Sequence, residues 1–237
     1  MANTIGYGQG AVNNTNAWGQ GAKVGSSFSN TQSIELDGID AYVDCGTGAS
    51  LQITGSLTIS AWVKTTDTNY IGIYGKGNSV ALSDVYFRMQ NTGVIRVFLN
   101  NTSVNVTGTT AINDGNWHHV MFVYVPSTSM TIYVDGSQDA QNTTSIPSAI
   151  NSNYSSVYIG QFQRWLGKID EVAVWNSDQS ANISTIYGTG TPLDLSSLSP
   201  LSWWRFEGTG TTATDSGSGG NDGVLDNTVV RSSDVPT

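Results

Sequence analysis

The sequence predicts an all-β protein built as an antiparallel sandwich or barrel. Three observations carry that expectation. From residue 31 onward apolar residues alternate with period two, the pattern of strands with one buried face. Runs of Gly, Asn, Asp and Ser separate these segments, as turns require. Residues that favour helices are scarce: 11% of the 237 residues are charged, with three Glu and four Lys, too few for a helical bundle or coiled coil. Seven Trp, ten Tyr and six Phe are spread along the chain, and a charge-driven disordered chain would lack them.

Residues 1–30 read as a Gly/Asn/Gln-rich arm. Tyr7-Gly8-Gln9-Gly10-Ala11 returns as Trp18-Gly19-Gln20-Gly21-Ala22. This composition suits a flexible leader. It also suits an anchoring arm in which Tyr7 and Trp18 dock on a neighbouring surface, since aromatic rings are enriched at interface hot spots. Ser33–Leu36 and Ala41–Asp44 flank Asp37-Gly38-Ile39-Asp40, a hairpin signal. Leu57–Lys64 alternates cleanly, with Leu57, Ile59, Ala61 and Val63 on one face. Further strands are expected at Ile71–Tyr74, Val85–Met89, Val94–Leu99 and Ser103–Thr107. After these come His118–Val125, Met130–Val134, Tyr158–Gly160 and Lys168–Trp175. One short helical turn falls at Ser180–Tyr187. Residues 191–237 then supply a linker bounded by Pro192 and Pro200, a strand at Leu201–Glu207 and a turn-rich tail holding the apolar pair Val224-Leu225.

Five pieces of the sequence, in order, resemble the laminin-G-like, concanavalin A-type jelly roll. They are Leu36-Asp37-Gly38 before Tyr42-Val43, Leu57–Lys64, Gly115–Val120, Ile132–Gly136 and Leu166–Trp175. The resemblance covers about residues 31–190 and implies a jelly-roll β-sandwich. Its core is expected to hold Leu57, Ile59, Ala61, Val63, Trp117, Val120, Phe122, Ile132, Val134, Ile169, Val172 and Val174. Trp62, Trp117 and Trp175 are expected to fill the space between sheets about 10 Å apart. The stretch from Leu201 to Gly208 resembles the segment that normally opens such a domain, so it is expected to add a permuted strand that completes the sandwich. The order of Gly-Gln-Gly arm, jelly roll and Trp-Trp-Arg tail resembles virion proteins of tailed phages, marine ones especially.

The net charge of −9 and the lack of a basic stripe argue against nucleic acid and against an anionic membrane surface. No apolar run reaches the roughly 20 residues of a membrane-spanning helix. Cys45 is the single cysteine, so no internal disulfide can form. The first ten residues lack the basic and apolar regions of a secretory signal. The expected route is cytoplasmic synthesis followed by display on a virion surface.

Hydrolases of the resembling fold use paired carboxylates about 5–5.5 Å apart. Glu35-Leu36-Asp37-Gly38-Ile39-Asp40 starts such a motif but lacks the second Glu, and Glu171 and Glu207 stand apart. His118 and His119 are adjacent, so on a strand they face opposite sides and cannot act together. One is expected beneath Trp117 and the other at the surface. No catalytic residue is expected. Asp37, Asp40 and Asp170 have two readings. The resemblance implies a rim site for calcium, which takes six to eight oxygens, whereas Asp before Gly equally serves to cap turns. For saccharide binding the candidates are Tyr70, Tyr154, Phe162 and Trp165, with Tyr74 and Tyr86 beside them. Gln161-Phe162-Gln163-Arg164-Trp165 is the densest group. It can stack sugars, close the sandwich rim or meet a neighbouring subunit.

Together these features lead to the expectation of a non-enzymatic virion protein, a capsid decoration or fibre component. Its partners would be other virion proteins and further copies of itself. The alternative is a carbohydrate-binding lectin that recognises a host surface glycan.

Overall fold

Leu57–Lys64 forms the central strand its alternation requires, and both of its faces are buried except at Lys64. The structure, a computed structural model, describes residues 28–226 and 228–237. The expected anchors Tyr7 and Trp18 lie outside the described residues. In chain order the strands are β1 (Ser33–Asp37), β2 (Tyr42–Asp44), β3 (Leu57–Lys64), β4 (Ile71–Gly77), β5 (Ser83–Met89) and β6 (Val94–Leu99). They continue with β7 (Val104–Ala111), β8 (Trp117–Val125), β9 (Ser129–Val134), β10 (Ser137–Asn142), β11 (Val157–Ile159) and β12 (Leu166–Trp175). After the short helix α1 (Ile183–Tyr187) come β13 (Ser202–Trp204), β14 (Thr212–Ala213), β15 (Gly223–Asp226) and β16 (Val230–Ser232).

These strands form two antiparallel sheets packed as a jelly-roll sandwich. The first runs β10-β9-β8-β3-β12-β1-β16, with β13 also paired to β12. The second runs β14-β15-β2-β11-β4-β5-β6-β7. Between them lie Ile59, Val63, Val120, Phe122, Ile132, Ile169 and Val174 from the first sheet, and Val43, Ile73, Phe87, Val97 and Ile159 from the second. Phe87 and Phe122 meet across the gap with ring centroids 6.4 Å apart.

The structure corrects four expectations. Asp37–Asp40 does not close a hairpin: β1 pairs with β12 and β16, whereas β2 pairs with β11 and β15. One carboxylate oxygen of Asp37 accepts the N–H groups of Ile39, Asp40 and Ala41 at 2.8, 3.2 and 3.2 Å, and that tight turn sends the chain from one sheet to the other. A turn signal fixes a change of direction but not the partner strand.

Trp62, Trp117 and Trp175 do not fill the inter-sheet space. Each has the opposite parity to the core residues of its own strand, Ile59 and Val63 for Trp62, Val120 and Phe122 for Trp117, and Val172 and Val174 for Trp175, so all three lie on the outer face of the first sheet. There Trp175 joins Met121, Val123, Ile186, Leu195 and Trp203 in a second apolar cluster. Trp62 stacks on Tyr187 at 5.8 Å. Trp117 is half-buried and donates its indole N–H to Asp234 at 2.9 Å. The tryptophans of the inter-sheet core are Trp165 and Trp204.

His119 does not pack beneath Trp117. It is fully buried against Trp62, with ring centroids 5.2 Å apart, while half-buried His118 bonds Asp135 at 2.7 Å. Finally, the tail after residue 208 is more than turns. It supplies β14 and β15 to one sheet and β16 to the other.

Candidate functional site

Alternation in the β5–β6 hairpin sends Phe87, Met89, Ile95 and Val97 into the core and leaves Tyr86, Arg88, Arg96 and Phe98 for the outer face of the second sheet. In register, Tyr158 on β11 lies beside Gly75 on β4, then Tyr86 on β5, Phe98 on β6 and Asn105 on β7. A row of rings and amides therefore crosses five strands. Gly75 is a gap in that row, and the loop after β11 fills it. A Cβ at Gly75 would lie 2.4 Å from the Phe162 ring, and one at Gly72 would lie 2.1 Å from the Phe162 carbonyl oxygen. The loop can therefore rest on the sheet only because both positions lack side chains. The Tyr86 hydroxyl lies 3.0 Å from the Phe162 carbonyl oxygen and 2.8 Å from Gln163 Oε1, with its one proton in reach of both acceptors. Burial pushes the Tyr86 phenol well above its ordinary pKa, so it stays a donor.

The docked loop separates two shallow depressions. One, of about 450 Å³, is lined by Asp67, Asn69, Tyr70, Gln163 and Arg164. The other, of about 320 Å³, is lined by Asn78, Val80, Gln161 and Phe162, with Gln163 and Arg164 common to both. The Arg88 guanidinium lies 4.6 Å from the centroid of the Tyr70 ring and 4.9 Å from that of Phe98, and donates to Gln163 Oε1 at 2.7 Å. Arg164 lies 4.9 Å from the Tyr42 ring and donates to the Asp40 carbonyl at 3.3 Å. The Tyr42 phenol, hydrogen-bonded to Asp226 and then disfavoured by burial, is pushed up to about 12. An exposed ring next to amide and guanidinium donors can stack on a pyranose and bond its hydroxyls.

Of the expected saccharide residues, Tyr70 is 40% exposed at this depression. Phe162 is buried and anchors the loop. Trp165 is fully buried in the inter-sheet core, so it offers no stacking surface. Tyr74 is buried in the same core and Tyr86 lies under the loop. Tyr154 is half-buried, and its N–H bonds Asp84 at 3.1 Å. Asp84 is four residues from Arg88 on β5, about 13 Å along the strand, so Tyr154 belongs to the far end of the sheet. Sequence reasoning missed Arg88, Arg96 and Tyr42. The signal for the two arginines was available in Tyr86-Phe87-Arg88-Met89 and Ile95-Arg96-Val97-Phe98, where polar and aromatic positions alternate with apolar ones.

The calcium triad does not assemble. Asp37 and Asp40 both meet Thr228. Asp170 pairs on β12 opposite Trp62, and its strand partner to Asp37 is Leu166, four residues away. Hydrogen bonds from Thr228 and the turn amides hold the Asp37 carboxyl well below its ordinary pKa, and they occupy the oxygens a cation would need. Asp170 is buried and accepts from Asn30 at 3.0 Å. Among the described residues no three His, Cys, Asp or Glu side chains are grouped to hold a metal ion.

The three glutamates are all engaged in structural contacts. Buried Glu171 accepts the Trp203 indole N–H at 2.5 Å and lies 3.3 Å from Arg205. Glu207 accepts the Thr31 and Gln32 N–H groups at 2.6 and 3.1 Å. Glu35 lies 3.7 Å from Lys168.

Sandwich topology and an aromatic outer face place the chain among lectin-like jelly rolls. The chain belongs to the concanavalin A-like lectin/glucanases superfamily, whose family model matches residues 37–182. A structure of a candidate carbohydrate-binding protein from Bacteroides ovatus superposes with a TM-score of 0.68 at 16% identity, covering 88% of this chain. The chain spans 62% of that protein's length. The heptameric SAP-like pentraxin of Limulus polyphemus superposes with a TM-score of 0.58 at 16% identity, covering 85% of this chain and 94% of the pentraxin. At these identities the likeness is one of fold. No curated protein sequence matches the chain at a significant level.

Proposed function

We propose that the protein is a non-catalytic saccharide-binding module that holds its ligand on the outer face of the second sheet, at the Tyr70 depression. One observation carries the reading: an exposed ring, two guanidinium groups and an amide converge there on an open face. The size of the depression, about 450 Å³, lies within the range of small-molecule sites, roughly 300–1,000 Å³. The superfamily holds both lectins and glucanases, and the engagement of all three glutamates in structural contacts favours binding over hydrolysis. A glycan array followed by titration tests the reading. Tyr70→Ala is expected to weaken saccharide binding about tenfold, or 1.4 kcal/mol, with no change in melting temperature. Failure of every saccharide to bind at millimolar concentration would refute it.

Display on a virus particle is a second reading, favoured by how the chain enters the sandwich. Asn30 is held by Asp170, Thr31 and Gln32 are held by Glu207, and Arg205 donates to the Ser29 carbonyl. Residues 29–32 are thereby held to the sandwich, as the base of an anchoring arm with Tyr7 and Trp18 would need to be. Deleting residues 2–27 is expected to leave the fold intact and abolish particle or oligomer assembly. Unchanged assembly would rule the arm out.

A further inference from the structure

Register in the β5–β6 hairpin sets two arginines directly opposite each other. Arg88 and Arg96 are cross-strand partners, and like charges in that relation are ordinarily destabilising. The chain has 18 acidic residues against 9 basic ones, so carboxylates to offset the pair are plentiful. None is used. Among the described residues, ion pairs join Lys64, Lys76, Lys168, Arg205 and His118 to carboxylates, and neither Arg88 nor Arg96 takes part.

Neutral groups hold both guanidinium planes. Arg88 lies against the Tyr70 and Phe98 rings and bonds Gln163. Arg96 lies 4.5 Å from the Phe98 centroid and bonds Asn105 Oδ1 at 3.1 and 3.3 Å and Gln90 Oε1 at 3.5 Å. Rings and amides orient a guanidinium without cancelling its charge. Arg88 is only 9% exposed, and its Nε–H has no partner. Burial first, and the charge of Arg88 second, make Arg96 easier to deprotonate than an ordinary arginine, as expected for two cations facing each other unneutralised.

We propose that Arg88 and Arg96 form an anion subsite on this face, specific for the carboxylate or sulfate ester of an acidic saccharide whose ring rests on Tyr70. The inference rests on the saccharide reading above and names the class of sugar. Guanidinium groups match the oxygens of both anions by forked hydrogen bonds. Arg164 adds a further positive group at the rim of the Tyr70 depression, which Arg88 adjoins through the Tyr70 ring and Gln163. Asp67 also lines it, but its Oδ1 is engaged by the backbone and side-chain N–H groups of Asn69 at 3.0 and 2.8 Å. With a net charge of −9 the protein as a whole repels polyanions, so an acidic ligand must be recognised locally.

Calorimetric titration of the full chain with dextran sulfate, dextran, polygalacturonate, galactan and inorganic sulfate tests the proposal. At least one acidic polymer is expected to bind ten times or more tighter than its neutral counterpart, and to weaken as salt is raised. The acidic polymer that binds identifies sulfate or carboxylate as the group recognised. Arg96→Gln can keep its contact with Asn105. It is expected to cut acidic binding about tenfold, without lowering the melting temperature, and leave any neutral-sugar affinity as it was. Equal binding of neutral and acidic polymers, unaffected by Arg96→Gln, would overturn the subsite and leave the saccharide reading standing. Binding of inorganic sulfate as tightly as the sulfated polymer would also overturn it. No binding to any of the four polymers would also overturn the subsite.

Discussion

Both sheets carry aromatic rings on their outer faces, and the fates of those rings differ. On the first sheet, the chain that follows β12 folds back over the strands. Ile186 of α1, Leu195 and Trp203 cover Met121, Val123 and Trp175, and Tyr187 covers Trp62 and His119. On the second sheet, the loop around Phe162 takes one place in the row, and Tyr70, Arg96 and Arg164 keep access to solvent. The same alternation of apolar and aromatic positions thus builds a second core on one side and a presenting surface on the other. What decides between them is whether a later segment of chain is long and apolar enough to lie across the face.

The sharpest way to break this contrast is to empty the covered face. Trp175 is 1% exposed and donates its indole N–H to the Leu198 carbonyl at 3.1 Å. Trp175→Ala is expected to cost about 3–5 kcal/mol in denaturant unfolding, with saccharide affinity of the folded fraction unchanged. A loss below about 1 kcal/mol would mean that the outer layer is not a core.

The covered face also makes stability depend on pH in two opposing ways. Burial pushes His119 down to about 4 from 6.5. Its stabilising contribution is therefore complete above pH 6.5 and is lost as pH falls towards 4, about 3 kcal/mol in all. Burial pushes Glu171 up to about 7 from 4.5, against the pull of Arg205 and Trp203. Its contribution is complete below pH 4.5 and is lost as pH rises through 7, by a similar amount. Asp170 is shifted upward for the same reason. His119→Phe removes the first effect, so the unfolding midpoint of the variant is expected to fall steadily as pH is raised from 4 to 7. A flat profile would contradict the assignment.

A smaller effect is expected at the edge where the chain ends. Asp234 bonds Lys64, Lys168 and the Trp117 indole at 2.9, 3.2 and 2.9 Å. Burial opposes its ionisation, and those three donors overcome it to hold the carboxyl at about 2. Its contribution is therefore present above pH 3.8 and lost as pH falls through about 2. The side chain is 38% exposed, so screening limits the gain. Asp234→Ala is expected to cost about 0.5–1 kcal/mol at neutral pH, and high salt should shrink the difference.

The sandwich was legible because long strands with one face on a core must alternate. Leu57–Lys64 and Val94–Leu99 are observed with the boundaries read from the sequence. Strands such as Thr212–Ala213 and Val230–Ser232 span only two or three residues, too few for a period to show. The tryptophans of the first sheet were misplaced because size suggested a core while parity pointed outward, and the outer cover from residues 180–200 gives no signal in β3 or β12. At the candidate site, Tyr70 could be picked out as a loop aromatic. Arg88 and Arg96 show in the sequence only as outward positions of alternating strands, because their pairing lies in a register that sets them opposite each other. Trp165 failed as a sugar platform because its loop turns it back between the sheets.

The central claim is that the open face of the second sheet, and not the covered face of the first, receives the ligand. Mapping amide NMR shifts while a binding saccharide is added tests that claim most directly. The account predicts perturbations concentrated at Asn69–Ile71, Tyr86–Arg88, Arg96–Phe98 and Gln161–Arg164, and needing about ten times more saccharide in Tyr70→Ala. Perturbations centred on Trp62, Trp175 and Tyr187, unaffected by Tyr70→Ala, would contradict it.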